Sequence, residues 1–507
     1  MELIHYFVLI LFTFSSIINS IRWSRIAQRE HYIAGYVTKF YFRWIKLFPY
    51  NKILFTVSIL LFLVSLWTPI TAILLAILNL IIPLGLSFNS RTSKVNYTER
   101  LKRLNILYIL LVVFLTFVSV VNNFGYFIAM FANLVSFYIF DLSLKLLKNY
   151  EKNKSNVFVN SASKKLKEFN GPVIAITGSY SKTTTKNVMY QILSGKYKTF
   201  VTPESFNNRL GISRSINEKF ESSYEVSIFE MGTYGFGEIR EMCAWIKPHI
   251  AVITGIAPVH LERMKTLENI LEAKSEIADL AGTVVINGDD EILLNQARLW
   301  TSQKMVIDCS ISSDQAAVFV NYIEGIHSIY IGGQYIASVN GPKLLQLSIA
   351  LSVGVLIALE LDVKSFFNNE IILEKTQHRQ TEIIGTKGQA IIDNSFNSNP
   401  VSYKASFEKI KNHKSNGKKY LITPGLIELG SEQFSYNYEF ALDASEVFDE
   451  VLIIGYTNIS SLRLGLDEAN VVYKLYKNRD LAVSDLNSYV SKDDIVLFEN
   501  DLPDHHP

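Results

Sequence analysis

The chain has 507 residues, 49% hydrophobic and 19% charged, with a formal net charge of +2. That length holds roughly three units of ordinary size, and the near-balanced charge excludes a global nucleic-acid footprint. Two cysteines, Cys243 and Cys309, lack paired spacing, which excludes a disulfide framework and a thiolate metal site and fits a reducing compartment.

The apolar excess lies at the front. No charged residue occurs from Leu3 to Ile21, from Ile53 to Ser90, or from Leu104 to Phe140, and about 18 uncharged apolar residues suffice for a spanning helix. The last two runs are nearly twice one span at about 1.5 Å per residue. Their breaks, Trp67-Thr68-Pro69 and Asn122-Asn123, predict about five transmembrane helices in residues 1–144. Arg22, Arg25, Arg29, Lys39, Arg43, Lys46 and Lys52 in one intervening loop, and Arg91, Lys94, Arg100, Lys102 and Arg103 in another, mark both as cytoplasmic. The expected topology is a multi-pass protein of the plasma membrane, contacting the lipid bilayer, with its amino terminus outside and everything after Asp141 in the cytoplasm. Residues 145–169, rich in Lys, Asn and Ser, read as a linker or a frayed helix.

Beyond the linker the pattern changes. "PVIAITG", "VSIFEMG", "IAVITGI" and "TVVING" are buried-strand runs that alternate with helix-length amphipathic stretches, as in a parallel sheet wrapped by helices. A second set, "TEIIG", "QAIIDN", "YLITPG", "EVLIIG" and "DIVLFEN", begins near Thr376. The expected units are residues 170–375 and 376–507.

Within the first, "AITGSYSKTTTK" (residues 175–186) places a strand, a short turn and the start of a helix in sequence. A helix amino terminus directs unpaired N–H groups and a positive dipole end at an anion. Gly178, Ser179, Ser181, Lys182, Thr183 and Thr184 would cradle nucleotide phosphates, with Lys182 on the outer phosphates and Thr183 or Thr184 on magnesium. Phosphate loops usually carry glycine before the Lys-Thr pair, and Ser181 stands there instead. The expected fold class is a membrane α-helical region followed by two α/β domains: a P-loop-type central domain with a mainly parallel sheet, and a smaller Rossmann-like C-terminal domain.

The order "TGSYSKTTTK", "SFNNRLGI", "FEMGTYGFGEI", "VITGIAPVHLERMKTLENILEAKSEI", "VINGDD", "QHRQTEII", "IIDNSFNSNP" and "LFENDLPD" resembles the Mur ligase family, most of all its D-alanyl-D-alanine-adding branch. The resemblance covers roughly residues 170–507 and leaves out the front, where that branch has a uridine-binding domain. It implies ATP and Mg2+ as cofactors and an amide ligase that phosphorylates a carboxylate before an amine attacks it. Carried over by position, it makes Glu230, His260, Lys274 and Thr183 metal-binding, with Lys274 carbamylated. Lys182, His260, Lys274 and Arg379 become catalytic. Asn287 would read the base, Arg379 would reach the phosphates, and Asp393 would contact the ribose or metal shell. Asn207, Asn208 and Asn397 would face the substrate. The implied partners are an envelope precursor carboxylate and an amino acid or dipeptide amine, with no nucleic acid. The alternative is a catalytically degenerate ATP-binding scaffold or sensor of envelope synthesis, which a damaging Ser181 would favour.

Overall fold

The computed structural model describes residues 2–65, 67–88, 95–121, 125–367, 372–374, 381–395, 398–414, 416–503 and 505–507. The chain forms two compact units, one of residues 1–154, 455–457 and 502–507, the other of residues 155–454 and 458–501.

The first unit is helical: α1 (Glu2–Arg29), α2 (Tyr36–Leu47), α3 (Pro49–Val64), α4 (Pro69–Ile81), α5 (Glu99–Val121), α6 (Phe127–Leu134) and the start of α7 (Ser136–Lys167). Pro69 occupies the first turn of α4, where its missing N–H costs nothing, so the expected break is where the sequence put it. The second expected break, Asn122-Asn123, lies outside the described residues. Two described helices, α1 and α5, are long and apolar enough to cross a membrane, or up to four spans exist if the bent pairs α2/α3 and α6/α7 each count as one. This differs from the five expected. At 13 residues α4 is roughly 20 Å long, short of a hydrocarbon core of ~30 Å. Residues 145–167, expected as a linker or frayed helix, continue α7 without interruption.

Buried amides bind these helices together. Asn19 Nδ2 donates to the Asn79 carbonyl at 2.9 Å, Asn79 Nδ2 to Asn133 Oδ1 at 2.9 Å, and Asn133 Nδ2 to Ser16 Oγ at 2.9 Å. Such bonds hold helices where apolar burial offers little preference between neighbours. Asp141 caps α2, accepting from the Gly35 and Thr38 backbone N–H groups at 2.8 Å each.

The second unit contains two sheets. The larger is ordered β2-β3-β1-β4-β5-β6-β7-β8-β9, with β1 (Val173–Thr177), β2 (Thr199–Val201), β3 (Val226–Glu230), β4 (Ile250–Ile253), β5 (Thr283–Asn287) and β6 (Met305–Ser310) in parallel. Strands β7 (Val318–Ile323), β8 (Ile326–Ile331) and β9 (Gln334–Asn340) add an antiparallel extension. Its two turns, Glu324-Gly325 and Gly332-Gly333, have positive φ at both central residues, the twist that tight hairpins favour. The interleaved helices are α8 (Lys182–Leu193), α9 (Arg209–Lys219), α10 (Glu238–Ile246), α11 (Leu261–Met264), α12 (Leu267–Ser275), α13 (Glu291–Trp300) and α14 (Gln346–Ala358).

The smaller sheet is ordered β10-β11-β15-β12-β13-β14: β10 (Thr381–Ile384), β11 (Ala390–Asn394), β12 (Lys419–Thr423), β13 (Glu450–Ile454), β14 (Val472–Tyr476) and β15 (Ile495–Glu499). Only β10 runs antiparallel to its neighbour. Helices α15 (Pro400–Lys411), α16 (Gln433–Ser445) and α17 (Ile459–Glu468) share a core with Ile495 and Leu497. Helix α18 (Arg479–Tyr489) packs with Val496 and Phe498 on the opposite face. The expected boundary between 375 and 376 falls outside the described residues.

Helix α14 is buried along most of its length because Gly354 lets it lie on the larger sheet. A Cβ there would sit 2.7 Å from Cys309 Sγ and 2.7 Å from Val285 Cγ1. We expect Gly354→Val to destabilise this unit by about 3 kcal/mol, the upper range for an overpacked core, measured as a lowered thermal midpoint.

Candidate functional site

The carboxyl ends of β3, β1, β4 and β5 lie side by side, and in open parallel sheets ligands bind beyond such ends. Strand β1 delivers Gly178 with φ 149, and a Cβ there would fall 2.0 Å from Thr254 Oγ1. Only glycine fits. Ser179 Oγ donates to the Ala257 carbonyl at 3.1 Å and accepts from its N–H at 2.9 Å, which pins the loop to the segment after β4. Ser181 adopts φ 56, ψ 1 in the left-handed region directly before α8. The glycine it replaces would have held that conformation freely.

Two lysine side chains meet at this turn. Lys182 Nζ donates to the Gly178 carbonyl at 2.7 Å and Lys274 Nζ, from α12, donates to the same oxygen at 3.0 Å. Burial, and then the Lys182 charge beside it, hold the Lys274 amine well below the ordinary lysine range. Thr183 and Thr184 are buried in the first turn of α8. Glu230 ends β3 at 1% exposure; its Oε1 accepts from Asn207 Nδ2 at 3.1 Å. Glu230 Oε2 is buried with no hydrogen-bond partner and lies 3.3 Å from Lys186 Nζ, an ion pair by distance only.

A glycine-dependent cradle, a helix amino terminus and two lysines suit a nucleotide's phosphates. A buried carboxylate oxygen with no hydrogen bond suits a hard divalent cation. Both ATP and Mg2+ therefore fit the residues present.

The remaining expected residues are placed less uniformly. Asn287 Nδ2 donates to Tyr180 Oη at 3.2 Å and to the Thr254 carbonyl at 3.3 Å, so its amide must exchange partners to read a base. Asn208 caps α9, accepting from Gly211 N at 2.9 Å. His260, at φ 54, points Nδ1 at Glu428 Oε2 of the smaller-sheet domain, and the Glu262 N–H donates to the Glu428 carbonyl at 2.9 Å. Among the described contacts His260 touches neither Glu230 nor Lys274. Asp393 is the penultimate residue of β11, half-exposed, with Oδ2 4.0 Å from Arg479 of its own domain. Arg379 and Asn397 lie outside the described residues.

Three residues escaped the sequence reading. Lys186 looks like a solvated helix lysine until α8 is seen to bury it. Glu428 follows β12 in "GLIELG", a signal that was present and unused. Glu499 ends β15 fully buried, accepting from Asn394 Nδ2 at 2.9 and 3.0 Å and from Ser398 Oγ.

Residues 176–338 match the Mur ligase middle domain. The chain is 27% identical over 350 residues to the UDP-N-acetylmuramoyl-tripeptide–D-alanyl-D-alanine ligase of Bacillus subtilis, covering 66% of this chain and 74% of that protein. It is 28% identical over 292 residues to the ligase of the same name from Borreliella burgdorferi, covering 56% and 62%. The Thermotoga maritima MurF ligase, solved in complex with ADP, shares the fold at a TM-score of 0.57 and 24% identity over 68% of this chain and 80% of that one. MurF from Acinetobacter baumannii does so at 0.60 and 20%, over 68% and 77%.

Fold and phosphate loop thus define the class: an ATP-dependent amide ligase of the P-loop type, with two α/β domains. Within that class, residues 176–338 carry the Mur ligase middle domain, and the chain is similar to relatives named as D-alanyl-D-alanine-adding ligases.

Two predictions follow from this geometry. The left-handed conformation of Ser181 costs on the order of 1 kcal/mol, so Ser181→Gly should retain or raise nucleotide-dependent phosphate release; a marked loss would give the serine side chain a role of its own. Burial pushes the Glu499 carboxyl from 4.5 up to about 7. The folded chain therefore holds that proton more tightly than the unfolded one, and a penalty absent below pH ~4.5 grows to full size above pH ~7. Glu499→Gln should be more stable than the parent at pH 8 by roughly 2–3 kcal/mol and no different at pH 4, read from denaturation midpoints at the two values.

Proposed function

We propose that this protein is a membrane-anchored ATP-dependent carboxylate–amine ligase acting on a cell-envelope or peptidoglycan-related substrate, with its catalytic domains in the cytoplasm. The observation that carries the reading is the convergence of Lys182 and Lys274 on one carbonyl at the amino terminus of α8. The positive charge of Lys182 and the N–H groups of that helix end favour an anion, which we read as the polyphosphate of a nucleotide. ATP would phosphorylate the acceptor carboxylate to an acyl phosphate, and attack by an amine would give the amide, ADP and phosphate. The curated relatives are named for joining a UDP-N-acetylmuramoyl-tripeptide to D-alanyl-D-alanine, and this chain's acceptor and amine are read as belonging to the same chemical classes.

Each residue has a derivable task. Lys182 would place positive charge on the outer phosphates, where charge moves in transfer. Thr183 and Glu230 would hold Mg2+, whose charge screens the oxygens as they approach. Lys274, kept neutral by its surroundings, has the free lone pair needed to take up CO2 and become a carbamate, a second anionic metal ligand. The Glu428 contact with His260 joins the two α/β domains, and such closure would exclude water from the acyl phosphate. Apolar helices α1 and α5 support anchoring, which would place the reaction beside a lipid-linked or polymeric acceptor.

The test is phosphate release by the full chain in detergent with Mg2+, ATP, and a panel of lipid-linked and nucleotide-linked carboxylates with amino acids or dipeptides. Acceptor-dependent turnover that falls at least about a hundredfold in Lys182→Ala is expected, the scale for losing one electrostatic group in a transition state. Nucleotide binding without turnover on any acceptor would instead make the protein a scaffold or sensor. Stripping CO2 should also lower turnover, bicarbonate should restore it, and Lys274→Arg should be inactive in both conditions.

A further inference from the structure

Lys186 lies one turn into α8 beyond the phosphate loop, where a solvated lysine is the ordinary expectation. It is instead 1% exposed, and Nζ sits 3.3 Å from Glu230 Oε2. Nζ also donates a hydrogen bond to the carbonyl of Glu204. Glu204 belongs to the loop between β2 and α9 and holds φ 45. Three residues on in that loop, Asn207 donates to the other oxygen of Glu230 at 3.1 Å, and its carbonyl accepts from Gly232 N at 2.7 Å. The carboxylate is thus held from both sides, by an ammonium on one oxygen and an amide on the other. Both donors are tied to the same loop.

A buried carboxylate is costly without a cation beside it. In the free protein Lys186 supplies that cation. A divalent ion brought to Glu230 would face the Lys186 charge a few Å away in a low-dielectric setting, so each opposes the other's occupancy.

We propose that Lys186 is the resident counter-cation of the metal-binding carboxylate: a positioning residue that sets how tightly Glu230 takes Mg2+ and links that event to the loop at residues 203–208. This rests on the reading of Glu230 as the magnesium ligand. Metal binding weakens the Lys186–Glu230 pair and frees the ammonium to turn toward the loop, which the resemblance assigns to the carboxylate substrate. Lys186 thereby makes metal and acceptor binding interdependent.

Calorimetric titration of the full chain in detergent with Mg2+ alone, at fixed ionic strength, tests this. In Lys186→Met the Mg2+ midpoint should fall about tenfold or more, a conservative reading of one unit charge removed from a few Å away. In Lys186→Arg, whose planar fork can engage both oxygens of a carboxylate, the midpoint should rise by about the same factor. A lysine that merely fills space would lower stability in both variants and shift neither midpoint, and that result overturns the proposal. If Lys186→Met does not fold, Lys186→Arg decides alone: a raised midpoint supports the assignment, and an unchanged or lowered one refutes it. Glu230→Gln separates the two levels of inference. Retention of the parent midpoint in that variant removes the metal from Glu230 and sinks the underlying reading, whereas loss of the response with no shift in the Lys186 variants sinks this proposal only.

Discussion

Everything in the catalytic unit is arranged around the carbonyl oxygen of Gly178, which accepts from both Lys182 and Lys274. A neutral acceptor shared by two amines is a poor final partner for either, since a charge-assisted bond to an anion is roughly twice as strong as a bond between neutral groups. The turn therefore holds two donors in readiness at the point where a phosphate would enter. The same crowding depresses the basicity of Lys274, because an ammonium there would be buried next to another. One backbone conformation thus gathers two lysines at the amino terminus of α8 and lowers the basicity of one of them. It depends on Gly178, since any Cβ would meet Thr254, and on a left-handed Ser181 that turns the chain into α8.

Around this turn the unit uses opposite electrostatic solutions within one sheet edge. At β1 two lysines share one backbone carbonyl, while at β3 a carboxylate and a cation are paired and buried, Glu230 with Lys186. The first arrangement invites an anion and the second resists a further cation. Nucleotide phosphates and their metal would arrive together as one partly neutralised body, meeting the lysine side with its negative groups and the Glu230 side with its positive one. The paired carboxylate then limits metal uptake when no nucleotide accompanies it, a benefit for a site that must not hold a metal in the wrong place.

Much of this was legible in the sequence because it depends on local periodicity. Helix α8 spans the twelve residues "KTTTKNVMYQIL" that the loop motif delimits, and strands β1, β3, β4 and β5 coincide with uninterrupted apolar runs because parallel strands are covered on both faces. The antiparallel extension β7–β9 was not seen: its strands alternate buried and exposed residues, a weaker signal than a continuous run. Edge strand β14 escaped for the same reason, as "VYKLY" is exposed along most of its length. The second half of α7 read as a linker or a frayed helix because its polar Lys, Asn and Ser content conceals a continuous helix. Lys186, Glu428 and Glu499 are decided by tertiary packing. No window of sequence records which lysine a neighbouring strand will bury.

The front of the chain shows what local pattern cannot decide about a run of apolar helices. Charge-free runs delimit the apolar helices, but the number of crossings depends on bends, and the chain bends by 113° between α2 and α3 and by 78° between α6 and α7. Hydropathy is blind to such angles, since a helix that turns along an interface and one that crosses carry the same residues. What fixes the arrangement is polar and sparse: Asn19, Asn79 and Asn133 tie α1, α4 and α6 through buried amide bonds, and Asp141 fastens the start of α2. An uncharged amide costs far less to bury than an ion and still demands a partner. These few side chains therefore select one packing among the many that apolar contact alone would allow.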